Sequence, residues 1–533
     1  MSATTLNKAS SMSRLLPLVT MAGTLLIAAA AQAAAPGITG PIFNLTAQPA
    51  FLNQPDGTAV YSWGYGCSRA PSGFAPAAIT NAFCPTMQVP GPTLIVTEGQ
   101  VVTVNLTNNL PTPAGNTSIL FPGLNVSTSC SVTPTLGVTG LMTCEAAPGG
   151  TVTYTFTASS PGTRAYYSGT QGDLQIEMGL YGAIIVLPAN VPAACSSGLH
   201  AANRTAEVHW GESDFRLSQA AYDHDRTCYD REYLFQFAEM DLNIHRQALA
   251  QVATRSGCVA GAPGCSLEVP TEPYHPAYFL INGRSMPDDM DANYGAEYPH
   301  QPYNGNPHMH PGEQVLIRVI GQGRWQHPFH EHGNHVRILA RDANLILSQS
   351  DSEGLAGPLL FTTTTTPGLA FDGIFYWTGR GLNWDAYAHN PASTDANAKL
   401  PCVPDANGYN TGAPTAINFW EWCQDHNKPL QVAPFGDVPS GGPATLPDPN
   451  IFTNGAWYSG SPYLGQDATT RATGPNSVFQ PANTQANPAG ERGFAFMWHS
   501  HNEREITTNN VFPGGMLMMM LVDSREFVID ESK

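Results

Sequence analysis

Short segments in which apolar and polar residues alternate recur along the chain. In residues 100–107, Val102, Val104 and Leu106 share one face of an extended strand, and polar residues fill the other face. Similar runs predict strands at 151–157, 181–187, 313–320 and 335–340. Turn-forming residues separate them, since the chain holds 51 glycines and 45 prolines. This pattern predicts an all-β protein of sandwich or barrel type.

Helical periodicity is sparse. The clearest candidate covers residues 233–252, although its opening segment, Glu-Tyr-Leu-Phe-Gln-Phe, could equally begin as a strand. A first domain is predicted over residues 36–192. The stretch 188–198, rich in Pro, Ala, Cys and Ser, is interpreted as a linker. A second β-sandwich domain is predicted over 199–533, beginning near Thr205.

Residues 386–490 are rich in Asn, Pro, Gly and Ala and show few strand patterns. We interpret this segment as a long insertion in the second domain. A degenerate third domain is the alternative interpretation.

The first 35 residues have the pattern of an export signal. Lys8 and Arg14 precede an apolar run, and Ala31-Gln32-Ala33 forms a small-x-small cleavage site. Later stretches do not approach the length of a membrane span, so we expect an exported chain without a transmembrane anchor. Its location would be the periplasm, the cell surface or the extracellular space.

The chain is acidic, with a formal net charge of −18. Removal of the signal would bring the charge to about −20. This acidity argues against nucleic-acid binding, which depends on contacts of Lys and Arg with phosphate.

Ten cysteines, an even number, indicate disulfides in an exported protein. Their clustering suggests sequential pairs, although the sequence alone does not prove the connectivity. The suggested pairs are Cys67–Cys84, Cys130–Cys144, Cys195–Cys228, Cys258–Cys265 and Cys402–Cys423. The sequence contains no Cys-x-x-Cys-His motif, which excludes c-type haem attachment.

Two short motifs carry the strongest chemical signal. Residues 327–332 are His-Pro-Phe-His-Glu-His, and residues 499–501 are His-Ser-His. Histidines two residues apart lie on the same face of a strand. If the two strands are neighbours, four imidazoles would converge, those of His330, His332, His499 and His501. Neutral imidazole is the commonest protein ligand of transition metals, so the motifs predict a metal site.

Two further patterns have weaker implications. His308 and His310 form another pair at the same spacing, which could add ligands at the mouth of that site or lie in a solvated turn. Met516, Met518 and Met520 alternate onto one face, which we interpret as a packed strand rather than a Cu(I) site.

Several blocks of the chain resemble the multicopper oxidases, laccase-like proteins built from cupredoxin domains. These blocks are Val-Pro-Gly-Pro-Thr-Leu-Ile-Val-Thr-Glu-Gly at 89–99, the segment 162–186, Phe-Leu-Ile-Asn-Gly-Arg at 279–284, His-Pro-Gly-Glu at 310–313 and the motif at 327–332. The resemblance implies tandem cupredoxin-like Greek-key sandwiches, copper as cofactor and an oxidoreductase acting on a phenolic or metal-ion substrate. It also adds His327 to the candidate ligands, because the family's first histidine of that motif serves the type 1 copper.

Only some of the metal-binding motifs of the family are present in this chain. Four histidine places in the first domain are occupied by Leu120, Pro122, Tyr167 and Gly169. Near the C-terminus, Ser500 replaces the family's cysteine, and Glu505 replaces a later histidine. A serine hydroxyl is a hard ligand and cannot supply the soft thiolate on which type 1 copper depends. We therefore expect no laccase-type reduction of oxygen.

The remaining histidines are enough for one metal ion at most. Copper is the expected ion, with zinc, iron or manganese as alternatives, and no catalytic residue is assigned. Ligation by neutral imidazoles predicts release of the metal below a pH of about 6. Three functions remain open: an exported oxidoreductase with a mononuclear site, a metal-sequestering protein without turnover, and a metal-free cupredoxin scaffold for surface assembly.

Overall fold

The computed structural model describes residues 34–79, 84, 87–130, 137–351, 353–380, 403–424, 460–463, 493–525 and 527–532. The predicted signal up to residue 33, Cys402 and most of the 386–490 segment lie outside the described residues. The domain boundaries and the role of that segment therefore stay predictions.

The first part of the chain forms a sandwich of two five-stranded sheets. Strands β1 to β12 are Gly37–Thr39, Ile42–Asn53, Ala59–Cys67, Phe74–Ala75, Leu94–Thr97, Val101–Asn108, Ser127–Thr128, Val138–Thr139, Cys144–Glu145, Thr151–Thr157, Gly162–Tyr167 and Tyr181–Leu187. One sheet has the order β11-β12-β5-β1-β4, the other β3-β2-β6-β10-β7, and β8 pairs with β9 separately. Apolar residues of both sheets, such as Leu94, Ile184, Trp63 and Val104, fill a common core.

The later part of the chain forms a second sandwich. Strands β13 to β25 are Arg231–Met240, Tyr278–Ile281, His308–Met309, Gln314–Gly321, His327–Glu331, Val336–Arg341, Asn344–Leu345, Leu359–Leu360, Thr362–Thr365, Ala370–Tyr376, Gly460–Tyr463, Gly493–Ser500 and Leu517–Asp523. One sheet has the order β14-β13-β16-β22-β18-β19, with β20 on β18. The other has the order β15-β25-β24-β17-β21, with β23 on β24. Its core joins Phe235 and Ile317 of the first sheet to Phe329 and Trp498 of the second.

The all-β fold class is therefore confirmed, and the five predicted strands are found within one residue of their expected bounds. Met516, Met518 and Met520 are fully buried in the second core, as the packed-strand interpretation predicted. In the described part of the chain, no helix has both the length and the apolar character needed to cross a bilayer.

The described helices are few and short. The α-helices are α1, α2 and α3, at Gly172–Gln175, Gly198–Trp210 and Leu242–Thr254, and short 3-10 turns lie at Thr112–Ala114, Ala193–Ser196, Asp225–Thr227 and Asp288–Met290. The candidate helix at 233–252 begins as strand β13, and the helix starts only after Asp241, whose side chain accepts a bond from the Asn243 backbone N–H at 2.8 Å.

The predicted start of a sandwich near Thr205 is wrong, because this segment lies inside α2. Helix α2 buries Asn203 and Ala206 on one side, and Gly211 ends it with a positive φ of 95°.

Four of the five suggested disulfides are confirmed. They are Cys67–Cys84, Cys130–Cys144, Cys195–Cys228 and Cys258–Cys265. Cys423 is also disulfide-bonded, while its suggested partner Cys402 lies outside the described residues. The covalent links thus join residues near in sequence, which stiffens individual loops of both sandwiches.

Candidate metal centre

Strands β17 and β24 are antiparallel neighbours in the second sandwich. His330 lies directly opposite His499, and Phe329 lies opposite Ser500. Because side chains alternate along a strand, His330 and His332 share the face of β17 that His499 and His501 share on β24 and its extension. The fold therefore brings the two motifs to one place.

The four imidazoles form a compact group, hereafter the four-histidine cluster. From the His330 ring, the centroid distances to the rings of His332, His499 and His501 are 4.8, 5.6 and 4.9 Å. The remaining measured pairs, His332–His499 and His499–His501, are 5.2 and 5.6 Å apart. His330 is buried, His332 and His499 are half-buried, and His501 is exposed, so the cluster opens to solvent on one side.

Hydrogen bonds orient two of these rings. His499 Nδ1 lies 2.7 Å from the Ser500 carbonyl oxygen, which can only accept, so this nitrogen carries the proton. Its Nε2 then faces His332 Nε2 at 3.3 Å. His330 Nδ1 is 2.7 Å from Thr362 Oγ1 on β21. The Ser500 carbonyl thereby fixes the tautomer of His499, while the Thr362 hydroxyl, which can donate or accept, orients the His330 ring.

The donor atoms of the four-histidine cluster are not arranged as in a metal-bound site. Among the described residues, no group of three His, Cys, Asp or Glu side chains has its donor atoms arranged around a common metal position. The rings of His330, His332 and His499 pack edge to face, at interplanar angles of 76–79°. Ring rotation would be needed for the four Nε2 atoms to converge on one ion.

Burial and neighbouring charges favour the neutral form of two imidazoles in the cluster, His330 and His499. Burial, followed by the neighbouring rings of His332, His499 and His501, lowers the pKa of His330 to about 4. Burial also lowers the pKa of His499. Since only the neutral ring can bind a metal, both side chains are ready to act as ligands at neutral pH.

His327 lies outside this cluster. It is three residues from His330, so it points to the opposite face of β17 and into the protein. There its Nε2 is 3.0 Å from Glu239 Oε2, and its Nδ1 is 2.9 Å from Glu505 Oε2. The contact between His327 Nδ1 and Glu505 is an ion pair, because its angle is too bent for a hydrogen bond. The structure thus separates this candidate ligand from the other four.

His308 and His310 also lie elsewhere, and neither expectation for them is met. Both are buried, with His308 Nδ1 2.6 Å from Asp523 Oδ2 and His310 Nε2 2.7 Å from Glu212 Oε1. His308 pairs with Leu521 of β25, four residues along that strand from the level of His499. This separation amounts to about 13 Å along the strand. The pair therefore belongs to buried ion pairs and not to the mouth of the cluster or a solvated turn.

Three of the four first-domain positions that lack histidines contact one another. A bridge joins Leu120 and Tyr167, since the Leu120 N–H donates to the Tyr167 carbonyl at 2.7 Å. A β-carbon placed on Gly169 would lie 2.8 Å from Leu120 Cγ. The Leu120 side chain thus fills the space that a larger residue at position 169 would need.

Glu239 is the main residue of this region that the sequence did not reveal. It lies in β13, a strand whose ten residues are all buried, and a carboxylate in such an apolar run was the available signal. Ser500 and Glu505 were visible as replacements, and the structure joins them, since the Ser500 hydroxyl donates to Glu505 Oε2.

Comparison with known proteins agrees with this architecture. Residues 78–191 match the family model for multicopper oxidases. An L-ascorbate oxidase of Brassica rapa subsp. pekinensis is 38% identical over 99 residues, which cover 19% of this chain and 16% of that protein. Laccase-3 of Botryotinia fuckeliana is 37% identical over 97 residues, covering 18% and 20%. The chain thus aligns with no more than a fifth of the length of these two relatives.

Among solved structures, the blue copper oxidase of Nitrosomonas europaea covers 90% of this chain, and 85% of that chain is covered, at 15% identity and a TM-score of 0.42. The described residues form two β-sandwiches in succession, with histidines on neighbouring strands of the second. The resemblance to the multicopper oxidases therefore rests on residues 78–191 of this chain.

Proposed function

We propose that the four-histidine cluster binds one copper ion and that the protein is an exported, metal-binding relative of the multicopper oxidases with a mononuclear site. The observation that carries this proposal is the convergence of four imidazoles from two neighbouring strands, with all five measured ring distances between 4.8 and 5.6 Å. Two motifs 169 residues apart in sequence, at His330 and His499, contribute equally to it.

Copper is the metal that these ligands favour. Imidazole nitrogens suit copper, zinc and iron, and Cu(II) binds such a donor set more tightly than the other divalent ions of the first row. The match of residues 78–191 to the family model for multicopper oxidases supports the same choice. Zinc, iron and manganese remain as outcomes of the metal analysis.

The lowered pKa values of His330 and His499 support metal binding without prior loss of protons from these two rings. With the pKa of His330 at about 4, this ring carries no proton to be displaced between pH 5 and 8. His501, the exposed member, leaves one side of the site accessible to water or to a substrate. A bound copper ion would supply one-electron redox chemistry and Lewis acidity at that side.

The residues do not fit the full copper complement of the family. Leu120, Pro122 and Gly169 have no side-chain donor, and Leu120 packs over Gly169. A trinuclear cluster would therefore lack its first-domain ligands. For this reason the proposal is limited to a small phenolic or metal-ion substrate and excludes four-electron reduction of oxygen.

A second candidate function is metal sequestration without turnover. Ser500 favours it, because this residue interrupts the sulfur link through which a type 1 copper would exchange electrons with the two flanking histidines. On this view the cluster would hold copper and pass it on, and a metal-free scaffold would be the limiting case.

Metal analysis after loading with Cu(II) tests the proposal. We expect about one copper per chain in the wild type and less than about a tenth of that in H330Q/H499Q. H335Q is the matched control, since His335 contacts the same Phe361 ring as His330 but lies outside the cluster. Equal copper in the double variant and the wild type would refute the site.

An oxygen-consumption assay on the loaded protein separates the two candidates. Turnover of phenols or Cu(I) that H330Q/H499Q lacks would support the oxidoreductase. Stoichiometric copper without turnover would support sequestration.

A further inference from the structure

A second group of polar side chains lies directly behind the four-histidine cluster, on the inner face of β17. His327 stands between two carboxylates there, with Glu239 Oε2 at 3.0 Å from Nε2 and Glu505 Oε2 at 2.9 Å from Nδ1. None of the three side chains is more than 1% exposed. The Ser500 hydroxyl donates to the same oxygen of Glu505. These residues form a closed network within the core of the second sandwich.

Both carboxylates receive further donors that hold them in place. Glu239 Oε1 accepts from the backbone N–H groups of Arg324 and Trp325, at 2.6 and 2.8 Å, and from the Tyr274 hydroxyl at 3.2 Å. Glu505 Oε1 accepts from Asn502 Nδ2 at 3.0 Å. These donors hold both carboxylates in position against the imidazole between them. Their oxygens can therefore form charge-assisted contacts with that ring.

Three residues of this network, His327, Ser500 and Glu505, stand where the multicopper oxidases that the chain resembles have ligands of the type 1 copper. In the family a histidine, a cysteine and a second histidine would stand at 327, 500 and 505, whereas this chain has His327, Ser500 and Glu505. A type 1 copper does not fit this set. The thiolate is missing, and both ring nitrogens of His327 already face carboxylate oxygens.

We infer that Glu239, His327 and Glu505 form a metal-free ion triad, which takes the place of a metal centre as the link between β13, β17 and the turn after β24. The three residues are 88 and 178 positions apart in sequence, so the triad joins segments that no disulfide among the described residues connects. The triad also holds the end of β24 in place, because Glu505 accepts the hydrogen bond of Ser500, the residue between His499 and His501. The inference does not depend on whether the four-histidine cluster holds a metal.

The charges explain why the triad can exist without a metal ion. A buried charge is costly unless it is paired and hydrogen-bonded, and removal of one partner from such a group is strongly destabilising. In the triad one imidazolium is placed between two carboxylates, both of which have additional donors. The central cation is thus part of the chain itself.

The first test compares E505Q with E503Q in metal-free protein. Glu503 is exposed and lies two residues from Glu505, so its variant is a matched control for charge and position. We expect E505Q to raise the equilibrium constant of unfolding by roughly 100-fold or more, and E503Q by less than about threefold. An effect of E505Q as small as that of E503Q would overturn the triad as a link.

The second test asks whether the triad positions surround a common centre. In S500C/E505H, His327 Nδ1 would face a thiolate and an imidazole while Nε2 keeps Glu239 as its partner, an arrangement that supports metal ligands. With Cu(II) we expect intense absorption at about 600 nm in this variant, and none in S500A/E505H or the wild type. A folded S500C/E505H that binds copper without this band would contradict a common centre. If circular dichroism shows that the variant is unfolded, the E505Q comparison decides alone.

Discussion

The two faces of strand β17 show how differently the same side chain can behave three residues apart. On the inner face, hydrogen bonds and charge from Glu239 and Glu505 outweigh burial and raise the pKa of His327 to about 9. On the outer face, burial and three neighbouring imidazoles lower the pKa of His330 to about 4. One ring is therefore a stable cation and the other a neutral base at neutral pH.

The difference shows that the partners across the strand decide the role of each histidine. The inner face meets carboxylates from β13 and from the turn after β24, while the outer face meets imidazoles from β24 and a threonine from β21. The inner residue thus serves stability, and the outer residues are suited to binding a metal. Four predictions test this division, from the largest expected effect to the smallest.

The largest effect should come from removing the inner histidine. H327A leaves two carboxylates buried without their cation, so we expect a loss of about 3–5 kcal/mol in the free energy of unfolding. H330A, measured in the same metal-free buffer by urea denaturation, should lose less than half of that, because it removes no charge. Equal losses of unfolding free energy in H327A and H330A would contradict the division between the two faces of β17.

High pH should reproduce part of the same loss. The pKa of His327 is raised from 6.5 to about 9, so its stabilisation is fully present below pH 6.5 and is lost as the pH rises through 9. The group can contribute about 3 kcal/mol at most by this linkage. Unfolding free energies at pH 7 and pH 10 should therefore differ in the wild type and differ much less in H327Q. A wild type with the same slope as H327Q would argue against a charged His327.

Low pH should act on the outer face instead. Since the pKa of His330 is about 4 in the folded protein, the unfolded chain takes up its proton first, and stability falls as the pH drops from 6.5 towards 4. An NMR titration of the metal-free protein should place the midpoint of His330 near pH 4. A midpoint near 6.5 would show that the rings do not influence each other. It would also return metal release to the pH of about 6 expected for ordinary histidines.

The smallest effect should follow from loss of one supporting hydrogen bond. T362V removes the partner of His330 Nδ1, and such changes typically weaken metal binding by about tenfold or somewhat more. T364V is the matched control on the same strand, because Thr364 is exposed. Copper titration by calorimetry would compare them, and equal affinities in T362V and T364V would remove Thr362 from the site.

Local pattern was enough to predict the fold class, the main strands and the meeting of the histidines. Period-two alternation defines β6 and β10, and a run of apolar residues defines β12. A period of two also places His330 and His332 on one face. The spacing of three also separated His327 from them, a signal that the family resemblance obscured. The partner Glu239 could not be predicted, because it is 88 residues away and only the tertiary fold brings it to His327.

His308 and His310 show the limit of spacing as a guide. Their pattern equals that of His499 and His501, yet Asp523 and Glu212 hold them in buried ion pairs. Whether such a pair meets other imidazoles or carboxylates depends on strands distant in sequence. The segment near Thr205, where the second sandwich is expected to begin, lies inside helix α2, and the glycine that ends this helix follows only at position 211.

The contact of Leu120 with Gly169 sets the order in which a histidine pair could be engineered into the first sandwich. A histidine introduced at position 169 would meet Leu120 at once, because even its β-carbon would come within 2.8 Å of that side chain. A histidine at position 120 alone would find no partner at 169. The leucine must therefore be replaced before, or together with, the glycine.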